Sequence, residues 1–285
     1  MAHPDLHPDL HSDLHRHGDA DADLAEMLDL DADVLHEYHH EVMTWTASLI
    51  PGRRRIIDLG AGTGTATLAL ARQLPEAEVI AVDVCEPMLE HIQHRAQALG
   101  VAGRVRTVQA DLDQSWPAAL DQPGSADLLW AANSLHHVAD PRRALAQAFA
   151  ALRPGGALVV TEVGSFPRFL PDPDGAALEE RCHVALAEVR TEAGMHMDED
   201  WPARLGEAGF TIEAERHFDV ALRPPLPAAA GRYAQVSWQR MRHGLDGRLG
   251  ADDLAALDAA AAGALGRDDL TVRTSRTVWL ARRPC

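Results

Sequence analysis

The sequence predicts an α/β fold: a seven-stranded, mostly parallel sheet with helices on both faces. Three observations predict it. Residues 53–163 alternate short apolar runs with helical patterns, as repeated βαβ units do. The first apolar run, Ile56 to Leu59, passes directly into Gly60-Ala61-Gly62-Thr63-Gly64 and then a helical pattern from Thr65 to Leu74. The second run, Val79 to Val82, ends on Asp83.

The elements follow in order. Residues 1–20 carry a repeat: His3-Pro4-Asp5-Leu6, His7-Pro8-Asp9-Leu10, His11-Ser12-Asp13-Leu14, then His15. Histidines at this spacing would share a helix face and suit a metal. Pro4 and Pro8 oppose that helix, so a disordered tail is expected. In 21–52, Leu24, Met27, Leu28, Val34, Leu35, Tyr38, Val42, Trp45 and Leu49 recur at helical spacing and predict two helices. Strands are expected near 54–59, 78–83, 105–109, 126–132 and 156–163, with helices near 64–74, 86–99 and 141–152. Asp198 to Ala208 reads as a helix with Pro202 early in it. Phe210 to Leu222 and Thr274 to Arg282 read as the sixth and seventh strands.

Two stretches exceed a minimal sheet. The first, 164–197, opens as a Pro-rich loop and continues as a helix near 175–194. The second, 223–270, is a linker with Pro224, Pro225 and Pro227, then helices near 229–244 and 251–263. The core is therefore 53–222, interrupted at 164–197 and completed by a last strand within 271–285. Ligands in open α/β sheets lie beyond the carboxyl ends of the strands. The 164–197 insertion leaves the sheet at that edge. Together with 21–52 and 223–270 it is expected to form a helical lid that excludes water, the alternative being that these segments only pack against the core.

Composition narrows the function. A chain of 285 residues suits one large domain or a core with insertions, and 46% hydrophobic content can fill it. No apolar run approaches the ~20 residues of a membrane span. The N-terminus has no signal-peptide pattern, and Cys85, Cys182 and Cys285 are too scattered for a disulfide framework or zinc site. A cytoplasmic protein without a membrane partner is expected, and no residues are assigned as metal ligands. All 26 basic residues are arginine, which excludes a P-loop or Schiff-base lysine. The net charge of −17 argues against a nucleic-acid partner. A homodimer is compatible with these features.

A strand, a glycine turn with bare backbone and a helix let a nucleoside ligand lie against the chain. Asp83 sits where a carboxylate accepts hydrogen bonds from both ribose hydroxyls. The glycine spacing selects the ligand. A dinucleotide fingerprint is G-x-G-x-x-G. Here glycines fall at Gly60, Gly62 and Gly64, position 65 is Thr, and no second nucleotide-binding half follows. Asp58 ahead of this G-x-G-x-G resembles motif I of class I S-adenosylmethionine-dependent methyltransferases.

Two later segments extend the resemblance. Val108-Gln109-Ala110-Asp111-Leu112 follows the third strand. The family's acidic residue here accepts from the adenine amino group, and the next backbone amide meets a ring nitrogen. Asp111 and Leu112 fit these roles, although Asp111 alone also reads as an ordinary turn or cap residue. Asp127 to Val138 holds the fourth strand and the segment beside the methionine part of the cofactor. Relatives that methylate DNA or RNA amino groups carry N/D-P-P-Y/F there. Asn133-Ser134-Leu135-His136 departs from that motif, so base methylation loses support. With His137 and Val138, the segment resembles the small-molecule and quinone-methylating branch. The Pro154-Gly155-Gly156 turn into the fifth strand is a final family cue.

The resemblance covers about 53–222 and 271–283. It implies a Rossmann-like core that binds S-adenosyl-L-methionine. The cofactor residues it implies are Asp58, Gly60, Ala61, Gly62, Thr63, Gly64, Asp83, Val84, Met88, Asp111, Leu112, Ala132 and Asn133, with Tyr38 from the N-terminal helices. The function implied is methyl transfer to a small-molecule substrate, in secondary metabolism. The sulfonium is a good leaving group, so the protein chiefly positions the acceptor and excludes water, worth ~7–11 kcal/mol.

A base is needed where the acceptor must lose a proton. His137, His136 and Glu162 are the candidates near the rim. Each histidine also has a structural reading, and Glu162 can instead bind substrate or hold Arg168. Tyr38, His39 and His40 can close over the cofactor, but adjacent helix positions point about 100° apart, so not all three face in. The competing reading is a methyltransferase-like fold that binds the cofactor yet catalyses cyclisation or another non-methyl reaction. The glycine spacing disfavours a nicotinamide-dependent oxidoreductase. A non-enzymatic binding protein leaves the full cofactor constellation unexplained.

Overall fold

The computed structural model describes residues 23–49 and 54–285. The His/Asp-rich tail lies outside the described residues. Two helices come first, α1 at 23–34 and α2 at His36–Ser48, broken only at Leu35. The core then runs β1 (Arg55–Leu59), α3 (Thr65–Gln73), β2 (Glu78–Asp83), α4 (Glu86–Ala98), β3 (Val105–Gln109), β4 (Ala126–Ala132), α5 (Pro141–Ala151) and β5 (Leu152–Arg168). After β5 come α6 (Pro173–Glu192), α7 (Trp201–Glu207), β6 (Thr211–Leu222), α8 (Ala230–Gly244), α9 (Ala251–Gly263) and β7 (Val272–Arg282).

The seven strands form one sheet in the order β3-β2-β1-β4-β5-β7-β6. Strands β1 to β5 are mutually parallel, and β7 is antiparallel to both β5 and β6. Alternate residues of the central strands face opposite sides. Ile56, Leu128, Trp130 and Val159 join one core with α2, α3, α6 and α8. Ile57, Leu129, Leu158 and Val160 join the other with α5 and α7. Burial on both faces explains why these strands read as unbroken apolar runs. On β6, at the sheet edge, exposed residues alternate with half-buried ones.

One element differs from the sequence reading. The fifth strand does not end at 163 in a Pro-rich loop. It continues to Arg168, because β7 is long enough to pair with it: Ser165 opposes Ser275, and Arg168 opposes Arg273. The register is irregular across 163–168. Such a bulge accommodates Pro167, which has no N–H to donate.

The described segments that the sequence reading expected to form a lid share one core. Arg232 of α8 pairs with Glu26 of α1. Tyr233 of α8 donates to Asp31, also on α1, at 2.5 Å. Arg276 of β7 meets the same carboxylate at 3.2 Å. Burial would raise the Asp31 pKa, but the hydrogen bond to His39 and the Arg276 charge bring it down to about 2.

Candidate functional site

The site begins where β1 ends. Gly60 and Ala61 donate their N–H groups to Val82 O at 2.8 and 3.0 Å, which folds the turn onto β2. Gly62 and Gly64 have φ of +52° and +81°, a region that side chains other than glycine rarely adopt. A Cβ on Gly64 would lie 2.6 Å from Ile92 Cγ1, so α4 packs against the turn only because this residue is glycine. Beneath the turn, Thr67 Oγ1 donates to Asp58 at 2.6 Å. Burial raises the Asp58 pKa to about 7, and the nearby Asp83 adds to the shift. Asp58 and Thr63 are only 2% exposed, and Met88 is buried as well. These three support the turn from inside.

Asp83 closes the turn from the other side. One of its oxygens accepts from Gly62 N at 2.8 Å and the other from Cys85 N at 2.9 Å. A carboxylate has about four lone-pair positions, so both oxygens keep capacity for a ligand. Val84 beside it is exposed. After β3, exposed Asp111 accepts from Asp113 N at 2.8 Å, a local turn that the sequence reading allowed. Leu112 is half-buried. Asp113 was not anticipated from sequence: its carboxylate accepts from Ala139 N at 2.8 Å and ties this loop to the one after β4.

At the end of β4, Ala132 is half-buried and Asn133 has φ of +50°. Asn133 N donates to Thr161 O at 2.8 Å, while its side-chain Oδ1 is buried with no partner among the described residues. A buried acceptor without a donor is costly, and a ligand N–H would satisfy it. Ser134 donates to Leu59 O at 2.8 Å, joining this turn to the glycine turn. Both the open capacity of Asp83 and the orphaned Asn133 oxygen fit an amino-acid nucleoside.

The three candidate bases do not sit as separate rim groups. Glu162 and His136 are both buried. One Glu162 oxygen lies 2.5 Å from His136 Nδ1, and the other accepts from Leu135 N at 3.2 Å. Glu162 pairs with His136, and of its three readings the hold on Arg168 is not realised: Arg168 pairs with Glu180 at 2.6 Å. The His136 ring packs on His137 with centroids 4.2 Å apart. His137 alone opens to solvent. Protein packed around the rest of its ring, together with the neighbouring His136 and Arg190, lowers its pKa to about 4. It is a neutral imidazole at pH 7.

The N-terminal helices do reach the site, with one residue of the expected trio facing in. Tyr38 is buried and its hydroxyl hydrogen-bonds Thr161 Oγ1 at 2.9 Å. His39 turns to Asp31 at 3.3 Å, and His40 is exposed. Sequence reasoning missed Leu28 and Asp29 on α1. Leu28 Cδ1 lies 3.1 Å from where a Gly62 Cβ would be, so α1 covers the glycine turn. Asp29 fastens it through His91 and Arg95 on α4. Helical periodicity marked Leu28 as apolar but cannot say what an apolar face covers. Two surface clefts of about 310 and 540 Å³ lie elsewhere, lined by groups such as Gln93 and Arg106 or Arg54 and Glu76, and contain none of these residues. Among the described residues no cluster of His, Cys, Asp and Glu could hold a metal ion, and no helix is long and apolar enough to cross a membrane.

Comparison with known proteins places this geometry. Residues 56–156 match a family model described as a methyltransferase domain. The 27-O-demethylrifamycin SV methyltransferase of Amycolatopsis mediterranei is 30% identical over 79% of this chain and 83% of its own length. The demethylmenaquinone methyltransferase of Thermus thermophilus is 38% identical over 43% of this chain and 50% of its own. Several other curated relatives are matched over only 27 to 55% of their length. Among solved structures, the [4+2]-cyclase SpnF aligns with a TM-score of 0.53 at 23% identity, over 86% of this chain and 80% of that one. A methyltransferase-like protein from Bacillus halodurans aligns with a TM-score of 0.54 at 16% identity, over 86% and 98%. These two show a shared fold.

Proposed function

Because the chain belongs to the class I S-adenosylmethionine-dependent methyltransferases, we propose that it methylates a small-molecule acceptor, as a cytoplasmic enzyme of secondary metabolism. S-adenosyl-L-methionine is the cofactor, and when bound it supplies a methyl group on a sulfonium. The observation that carries the small-molecule reading is the turn after β4. Within five residues it presents the orphaned Asn133 oxygen and the neutral, solvent-open His137. This supports a reading in which a donor site and an acceptor site adjoin. The rifamycin methyltransferase, similar over most of both chains, supports a small acceptor.

The residues divide the work as follows. The Asp83 carboxylate, oriented by Gly62 N and Cys85 N, receives the ribose hydroxyls. Gly60, Ala61, Gly62, Thr63 and Gly64 offer backbone, with Asp58 and Met88 behind them. Val84, Asp111 and Leu112 flank the base. Asn133 Oδ1 accepts from the amino group of the methionine part, with Ala132 and Tyr38 beside it. His137 takes the proton that the acceptor loses as its new bond to the methyl carbon forms. Glu162 and His136 are positioning residues that hold the His137 ring in place. A base with a pKa of about 4 is weak but unprotonated at neutral pH, which suits an acceptor that is already nucleophilic.

S-adenosylhomocysteine should raise the melting temperature and NAD should not, because a ligand that binds only the native state stabilises it. Transfer of labelled methyl into a small-molecule extract tests the reaction itself. Cofactor binding with no transfer to any fraction would favour cyclisation or another non-methyl reaction. SpnF shares only the fold with this chain and does not by itself favour that alternative.

A further inference from the structure

The 164–197 insertion contains a group that the cofactor site does not use. Arg190 lies in the last turn of α6 and is half-buried. Its guanidinium carbon stands 3.6 Å from the centroid of the Phe166 ring on β5. Among the described residues it pairs with no carboxylate and donates to no acceptor, and burial alone lowers its pKa. This is unlike its neighbours. Arg168, Arg181 and Arg248 pair with Glu180, Asp253 and Glu192. The chain has 43 acidic residues for 26 arginines, so a half-buried arginine with no carboxylate partner among the described residues is not a shortage of partners.

Arg190 also stands beside the transfer site. His196 N, just past α6, donates to His136 O at 2.9 Å and docks the end of this insertion on the rim histidines. The Arg190 charge acts on both His137 and His183. The His183 ring lies nearly parallel to Phe166, at 17° and 6.2 Å between centroids. His183 Nε2 is buried and has no partner among the described residues. Arg190, two rings and an orphaned ring nitrogen thus gather at the carboxyl end of β5, and the carboxylate that acts on His183, Glu180, is already paired with Arg168. The helix dipole favours a cation in a last turn but supplies no acceptor for its N–H groups. Because Phe166 occupies one guanidinium face, the edge N–H groups remain, and their fork matches a carboxylate.

We propose that Arg190, Phe166 and His183 form the acceptor subsite, and that it takes the carboxylate of a planar, conjugated acceptor. The inference rests on the methyltransferase reading and deepens it. The carboxylate anchors on Arg190, the conjugated plane lies along Phe166 and His183, and the nucleophilic atom is presented towards His137.

The test is calorimetry on the full chain loaded with S-adenosylhomocysteine, using benzoate and its neutral isostere benzamide as probes. Benzoate should bind at least ~10-fold more tightly than benzamide, as expected for a charge-assisted fork. Arg190→Met keeps the packing on Phe166 and should abolish the preference. Arg190→Lys keeps the charge but not the fork and should retain only part of it. Unchanged S-adenosylhomocysteine affinity and melting temperature in both variants would show that the fold is intact. Equal binding of the two probes, no benzoate binding up to about 10 mM, or full preference in Arg190→Met would overturn the inference while leaving the cofactor reading standing. Failure of wild-type protein to bind S-adenosylhomocysteine would overturn both.

Discussion

Replacing Asp83 separates its two tasks, holding the glycine turn and holding the ligand. Its oxygens accept from Gly62 N at 2.8 Å and Cys85 N at 2.9 Å. Asp83→Asn leaves one acceptor oxygen and turns an NH₂ group towards the other backbone N–H. A hydrogen bond to a charged group contributes about 1.5–3 kcal/mol, and the half-buried setting places this one near the lower end. Asp83→Asn should therefore cost about 2 kcal/mol of stability, and Asp83→Ala somewhat more, because both N–H groups lose their partner. The ribose hydroxyls lose a charged acceptor in either variant. Cofactor binding should weaken by a further ~2 kcal/mol, or about 30-fold in Kd. Urea unfolding of the free protein measures the first quantity. Calorimetry with S-adenosylhomocysteine, at a temperature where both variants are folded, measures the second. Lower stability with wild-type affinity would mean that Asp83 only braces the turn and the ribose lies elsewhere.

Three further outcomes are expected. Gly64→Ala, with φ of +81° and a Cβ 2.6 Å from Ile92 Cγ1, should destabilise the fold by about 1–3 kcal/mol, as read by thermal unfolding. His137→Ala should lower kcat by ~10²–10⁴ with S-adenosylhomocysteine affinity nearly unchanged. In wild-type enzyme the acid limb of the rate profile should fall near pH 4, where His137 becomes protonated; full turnover in the variant would remove it as the base. Asp58 carries a pKa raised to about 7 in the fold, so the native state binds its proton more tightly than the unfolded chain does. Stability should then be greatest below the unfolded value near 4 and decline as pH rises towards 7. Asp58→Asn should flatten that decline in melting scans across the same window, and an unchanged slope would reject the assignment.

Local chemistry decided much of this protein in the sequence alone. A strand, a glycine turn and a helix in direct succession can fold in few ways, because only glycine accepts the backbone at 62 and 64 without strain. Unbroken apolar runs require a sheet covered on both faces, so the central strands of the sheet were legible in the sequence. Tertiary structure decided what depends on distant partners. Glu162 and His136 are 26 residues apart, and only the fold brings these two candidate bases together as a buried pair. Arg276 and Asp31 are 245 residues apart, and no periodicity brings them together. Strand β5 reaches Arg168 only because β7 is there to pair with it. Arg190 falls within the helix expected near 175–194. That no carboxylate of the described residues pairs with it is a property of its surroundings, and surroundings are what the order of residues along a chain does not state.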